Sequence, residues 1–181
     1  DGFSRYGNWL REISGKNTNP NKFDREHAEE WPSGRYNHYV FDMNRDWAWQ
    51  TQAETKQRMA IYNQWMPHVH SDIHEQGYDS PYFFPPAAEP QHEFIEAYQK
   101  DFHKLLGKNI AEKFDEKNWL YNTSERFDLF YPSYGDTYPM YNGAVGMTIE
   151  QGGIRAGREV TMENGVNLTI KERLTHHKTA V

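Results

Sequence analysis

The chain reads as an α/β domain with a mixed, largely parallel sheet flanked by helices, and three stretches predict it. His68 to Gly77 (HVHSDIHEQG) alternates Val69, Ser71 and Ile73 with His70, Asp72 and His74, the two-residue period of a strand with one polar face. Thr51 to Glu54 has the spacing of a capping box, and it opens a helix to about Trp65 that Pro67 stops. Before it, HYVFDMN (38–44) reads as a strand. Strand, helix and strand in that order predict a βαβ unit with a parallel pair.

The totals agree with one domain. At 181 residues the chain is long enough to bury a core. Only 36% of it is hydrophobic and its mean hydropathy is −1.01, yet 6 Trp, 12 Tyr and 10 Phe supply large burial areas. That mix suits a fragment, or a domain with a wet, aromatic-lined cleft, better than a compact hydrophobic sandwich. A net charge of −6 without a Lys/Arg cluster argues against a nucleic-acid partner, and no apolar run is long enough to span a bilayer. The absence of cysteine excludes thiol chemistry.

Taken in order, Ser14 to Lys22 is a loop by composition and Phe23 to Arg35 a charged, irregular tract. The helix 51–65 has a predicted inner face of Ala53, Met59, Tyr62 and Trp65. Residues 75–92 exceed an ordinary connection and, with Tyr82, Phe83 and Phe84 among them, read as a packed lid. A second helix runs from about Glu93 to near Phe114 through Phe94, Tyr98, Phe102, Leu105, Leu106 and Ile110, with Gly107 as a possible kink. Tyr121 to Asn142 reads as another ordered loop. AVGMTIEQGG (144–153) is a short buried strand ending at Glu150, Glu163-Asn164-Gly165 marks a hairpin turn, and KERLTHHKTAV (171–181) is helical.

Three predicted strand ends carry ionisable groups beside loops, where open α/β sheets tend to place their chemistry. His74 ends the first; a hydrogen-bonded structural histidine is the alternative. At the second, Asp42 and Asn44 share a face by strand period and Arg45 offers a planar fork to a carboxylate. A surface ion pair would use the same residues. Glu150 ends an apolar strand, where a carboxylate is costly to bury unless paired or facing a cavity. Partial desolvation there would raise its pKa toward neutrality, as a general base requires; a solvated strand end is the other reading.

Asp1-Gly2, then DMNRDW, DIHEQG, a tyrosine-rich loop and GMTIEQ resemble, in order and spacing from Asp1 to about Gly152, the carboxypeptidase A-like zinc metallocarboxypeptidases, with the closest likeness to a bacterial branch. The resemblance implies a C-terminal portion of that catalytic domain over 1–181. It implies hydrolysis of a C-terminal peptide bond by the intact protein. His74 is similar to the last zinc ligand and Glu150 to the catalytic carboxylate. Asn44 and Arg45 match the pair that grips the substrate's terminal carboxylate, and Asp42 the acid that orients a zinc-bound imidazole. The lid tyrosine falls at Tyr131 or Tyr134, and a further arginine at Arg11 or Arg35.

The resemblance also implies zinc, a peptide substrate with a free C-terminal carboxylate, and a secreted or periplasmic setting. The first two zinc ligands belong to an HxxE motif expected upstream of Asp1, in the remainder of the catalytic domain, so zinc is expected in the intact domain and not in this chain alone. His27-Ala28-Glu29-Glu30 has that spacing but reads as coincidence. A non-catalytic module that binds peptide C-termini or other carboxylates is the rival expectation.

Overall fold

The computed structural model describes residues 2–13 and 18–181; the Asp1 landmark and residues 14–17 of the predicted loop lie outside the described residues. Helix α1 (Gly2–Ile13) comes first, and α2 (Ala53–Trp65) precedes the long strand β1 (Val69–Gly77). Short strands β2 (Tyr82–Phe83) and β3 (Ala88–Gln91) lead to α3 (Ala97–Asp115). Then come β4 (Tyr121–Asn122), β5 (Asp128–Leu129), the short α4 (Thr137–Tyr141) and the long β6 (Val145–Ile154). A hairpin of β7 (Glu159–Thr161) and β8 (Asn167–Thr169) precedes α5 (Ile170–Ala180).

The main sheet has the order β1-β6-β2-β4. Strands β1 and β6 are parallel, as are β2 and β4, while β2 meets β6 antiparallel. The architecture is therefore α/β with a mixed, mostly parallel sheet flanked by helices. Among the described residues no helix is long and apolar enough to cross a membrane.

Strand period decides what each face of β6 does. Val145, Met147 and Ile149 face one side, where they join Tyr82, Phe84, Ile110 and Phe114 in the main core beneath α3 and α5. Phe84 and Phe114 are fully buried, each worth roughly 1.5–3 kcal/mol relative to exposure. Gly146, Thr148 and Glu150 fall on the opposite side. That side, roofed by loops, carries the polar residues.

Several expectations are corrected. Residues 38–44 do not form a strand: one isolated bridge joins Tyr36 to Asp42, and Met43–Arg45 is a single 3-10 turn. Local side-chain bonds win here. Asn37 Oδ1 accepts from the N–H groups of Tyr39 and Phe41, and Asp42 Oδ1 from that of Asn44. The βαβ unit expected over 38–74 does not form, and the parallel partner of β1 is the distant β6.

Helix α2 forms without its capping box. The Asp46 carboxylate replaces it, accepting from Thr51 N and Oγ1 at 2.9 and 2.7 Å and from Gln52 N at 2.9 Å. Burial pushes the Asp46 pKa up, but these bonds outweigh it and hold the group below the usual carboxylate range. The inner face of α2 is Thr55, Met59 and Tyr62, with Ala53 and Trp65 exposed.

Residues 75–92 are not a lid. They hold the end of β1, then β2 and β3, and Tyr82, Phe83 and Phe84 are core. Likewise 121–142 contains β4, β5 and α4, and β6 runs past Glu150 to Ile154. The 163–165 turn and the terminal helix are present as predicted.

Helix α3 buries Gln99, His103, Gly107, Ile110 and Phe114, while Phe94, Tyr98 and Leu105 are exposed. Gln99 Nε2 donates to the carbonyls of Met140 and Ala144, and His103 Nε2 lies 2.8 Å from the Gly146 carbonyl. The predicted stripe was apolar; the observed one is half polar because the connection into β6 presents bare carbonyls that need donors. Gly107 does not break the helix. Its missing side chain lets the Pro85–Pro86 backbone lie against α3, and a Cβ there would strike the Pro85 carbonyl oxygen.

Helix propensity alone would make Gly107→Ala stabilising by about 1 kcal/mol. The close approach of Pro85 reverses the sign: the substitution should destabilise by roughly 1–3 kcal/mol, measured by urea denaturation.

Candidate functional site

A cleft of about 530 Å³ opens on the polar side of the β1–β6 pair. Strand β1 contributes Asp72, His74 and Glu75; β6 contributes Thr148 and Glu150. Arg35, Asn44 and Arg45 come from the segment before α2, and Arg126 and Tyr134 from the segments flanking β5. The parallel register sets Asp72 beside Thr148 and His74 beside Glu150.

Asn44 ties the walls together. Its Nδ2 donates to Asp72 Oδ2 at 2.9 Å and lies 3.0 Å from His74 Nε2. Its Oδ1 accepts from Trp47 Nε1 and from Gly135 N, both at 2.9 Å. Three of these are hydrogen bonds; His74 Nε2 carries the proton that faces Asp72 and so is a close neighbour of the amide, not an acceptor from it. Trp47 is in turn packed edge-on to Tyr62 and His70, with the Arg58 guanidinium 3.9 Å above its ring. The Gly135 backbone approaches because it lacks a side chain; a Cβ would collide with Asp72 and Asn44. Asn44, predicted to grip a ligand, is thus an internal brace, and Arg45 is left as the free member of the pair.

His74 Nε2 is 2.8 Å from Asp72 Oδ1. That hydrogen bond, opposed by burial and helped by the charges of Asp72 and Glu150, raises the His74 pKa. Burial pushes Asp72 up, but His74 and Asn44 outweigh it and its pKa is lowered. Glu150 differs. It is 7% exposed, and among the described residues its Oε2 has no hydrogen-bond partner. Burial lifts its pKa to about 7, with His74 pulling down and Asp72 pushing up. An acid poised near neutrality beside an imidazole held by a carboxylate is equipped to take up and release a proton.

Arg45 is exposed, its guanidinium 4.3 Å from the centre of the Tyr134 ring. Its Nη1 donates to the Asn44 carbonyl, and no carboxylate pairs with it among the described residues. Arg35 donates to Asp42 Oδ2 through Nε at 3.1 Å and Nη2 at 3.0 Å. Asp42, matched by the resemblance to an acid that orients a zinc-bound imidazole, here answers Arg35, and Asp72 is the acid that touches the His74 ring. The period-two pattern that set Asp72 on the His74 face already pointed to it.

Of the two candidate tyrosines, Tyr134 lines the cleft, while the Tyr131 hydroxyl accepts from Trp49 Nε1. Of the two candidate arginines, Arg35 lines it and Arg11 lies on the exposed end of α1, its Nε bonded to the Gly7 carbonyl. His27 of the HxxE-like run is buried elsewhere, its ring nitrogens against the carbonyls of Arg155 and Asn19. Arg126 gave no signal in the sequence, being one basic residue in a loop.

Among the described residues no group of three His, Cys, Asp or Glu side chains is arranged to hold a metal ion. His74 is the imidazole that lines the cleft, and its Nε2 is taken by Asp72. The described residues therefore do not make a zinc site by themselves. Neither a family model nor a curated protein nor a solved structure matches the chain.

The raised acid fixes a stability profile. Between pH 4.5, where Glu150 ionises when unfolded, and about 7, where it ionises when folded, the unfolded chain loses its proton first. Stability falls as pH rises through that window. His74 acts in the same direction: its raised pKa stabilises below the ordinary histidine value and the gain is lost as pH climbs through the folded one. Glu150→Gln should therefore be more stable than wild type at pH 8, by on the order of 2 kcal/mol, and no more stable near pH 4. Thermal denaturation at the two pH values checks this.

Proposed function

We propose that the cleft binds the carboxylate end of a peptide and that the protein works as a zinc-dependent carboxypeptidase, hydrolysing the last peptide bond of its substrate. The supporting observation is the meeting of Glu150, His74 and the unmatched guanidinium of Arg45 in one cleft. On this reading Arg45, stacked on Tyr134, pairs with the terminal carboxylate, and Arg35 adds positive charge beside it. Fixing the chain end leaves only the last peptide bond within reach of Glu150. Glu150 accepts a proton as water oxygen bonds to the carbonyl carbon, and returns it to the nitrogen as the C–N bond breaks. Hydrolysis with zinc requires ligands beyond the described residues, which on this reading the remainder of the catalytic domain supplies.

A second reading, a binding module without catalysis, is favoured by one observation: His74 Nε2 is bonded to Asp72. Both readings need Arg45, and only the first needs Glu150 to exchange protons.

Arg45→Ala should weaken binding of an N-acetylated dipeptide with a free C-terminus by roughly tenfold or more, measured by calorimetry. In the zinc-loaded intact protein, Glu150→Gln should slow chelator-sensitive release of the C-terminal residue by roughly 10²–10⁴-fold. Release at the wild-type rate rejects the role of Glu150, and binding without release supports the module.

A further inference from the structure

Resting on the reading of the cleft as a carboxylate site, we infer that it selects a ligand with a second carboxylate, as in a peptide ending in glutamate or aspartate, and that Arg126 recognises that group.

Three guanidinium groups line the cleft. Arg35 is answered by Asp42 through two hydrogen bonds. Arg45 and Arg126 have no carboxylate partner among the described residues. Arg126 Nη1 donates to Gln76 Oε1 at 3.1 Å, a neutral acceptor, and its guanidinium carbon lies 5.3 Å from the centre of the Phe127 ring. Neither contact neutralises it.

The anchor is rigid. Gln76 is buried at 6% exposure, and its Nε2 donates to the Pro81 carbonyl at 2.8 Å, which directs its oxygen to Arg126. A cation braced in this way and otherwise exposed is prepared to receive an anion. Its field enters the cleft, because it counts among the charges that pull down the Glu150 pKa against burial.

The acids nearby are already occupied. Asp72 is bound to His74 and Asn44, Glu75 to Arg173 at 2.7 Å, and Asp136 to the hydroxyls of Thr137 and Thr148. Asp128 accepts from the N–H of Phe130, and Glu150 has an unpartnered oxygen; neither is paired with a cation among the described residues. Glu150 is buried and holds its proton near neutrality, so Asp128 is the acid that could favour a basic side chain. Two unmatched guanidinium groups in one cleft outweigh it.

The test is calorimetric titration of the 181-residue chain with N-acetyl-Gly-Glu, N-acetyl-Gly-Gln, N-acetyl-Gly-Lys and the C-terminal amide of the glutamate probe. The glutamate probe should bind roughly fivefold or more tightly than the glutamine probe. Arg126→Gln should bring that ratio close to one, and Arg126→Glu should shift preference to the lysine probe. Equal binding of the glutamate and glutamine probes, or a ratio unchanged in Arg126→Gln, overturns the inference while leaving the carboxylate site intact. Tightest binding of the lysine probe overturns it in favour of Asp128. An amide that binds as well as the acid, or no binding by any probe, overturns the carboxylate site and the inference with it. Circular dichroism of each variant confirms that it is folded.

Discussion

The parallel register of β1 with β6 is the constraint on which the rest of the molecule depends. With Ile73 opposite Ile149, the polar residues Asp72, His74, Thr148 and Glu150 all fall on one side of the sheet, and Val145, Met147 and Ile149 fall on the other. A slip of one residue would send the carboxylates toward α3 and α5 and the apolar side chains into the cleft. The core of Phe84, Ile110 and Phe114 thus does more than stabilise. By accepting only one face of β6, it fixes which residues the cleft receives.

The cleft concentrates acids, yet most of them are answered. Asp72 has His74 and Asn44, Glu75 has Arg173, and the buried Asp136 has two hydroxyls and a pKa raised by burial. Glu150 is the exception, with one oxygen left without a partner. An unpaired buried carboxyl is tolerable because it can hold its proton, which avoids the cost of a bare charge. The same circumstance gives it an affinity for protons matched to neutral solution. Stability and reactivity at this position therefore oppose each other.

What the sequence disclosed followed the reach of its signals. The strand at 68–77, the hairpin at 163–165 and the terminal helix were legible because alternation, an Asn-Gly turn and helical composition are local. The two-residue period of β1 alone puts Asp72 on the same face as His74. Residues 38–44 misled because Asn37 and Asp42 flank and end an apolar-rich run but spend side-chain oxygens on the neighbouring backbone, giving turns in place of a strand. Tyr82, Phe83 and Phe84 misled because a two-residue strand is too short to show a period, so core aromatics looked like lid aromatics. The pairing of β1 with β6 and the arrival of Arg126 depend on long-range closure, which no window of sequence records. Asn44 stood out in the sequence as a residue to grip a ligand, whereas its bonds inward to Asp72, Trp47 and Gly135 depend on parts of the chain that no local pattern joins to it.

That bracing amide has a consequence for the chemical ageing of the protein. Hydrolysis of the Asn44 side chain to a carboxylate would change only one atom, yet it would replace the donor facing Asp72 Oδ2 with a second negative oxygen. The two acids would repel across a partly buried contact, while the retained Oδ1 would still accept from Trp47 Nε1 and Gly135 N. Old molecules deamidated at this single position would keep their helices and their apolar core, and the damage would be confined to the contact between residue 44 and Asp72 on the floor of the cleft.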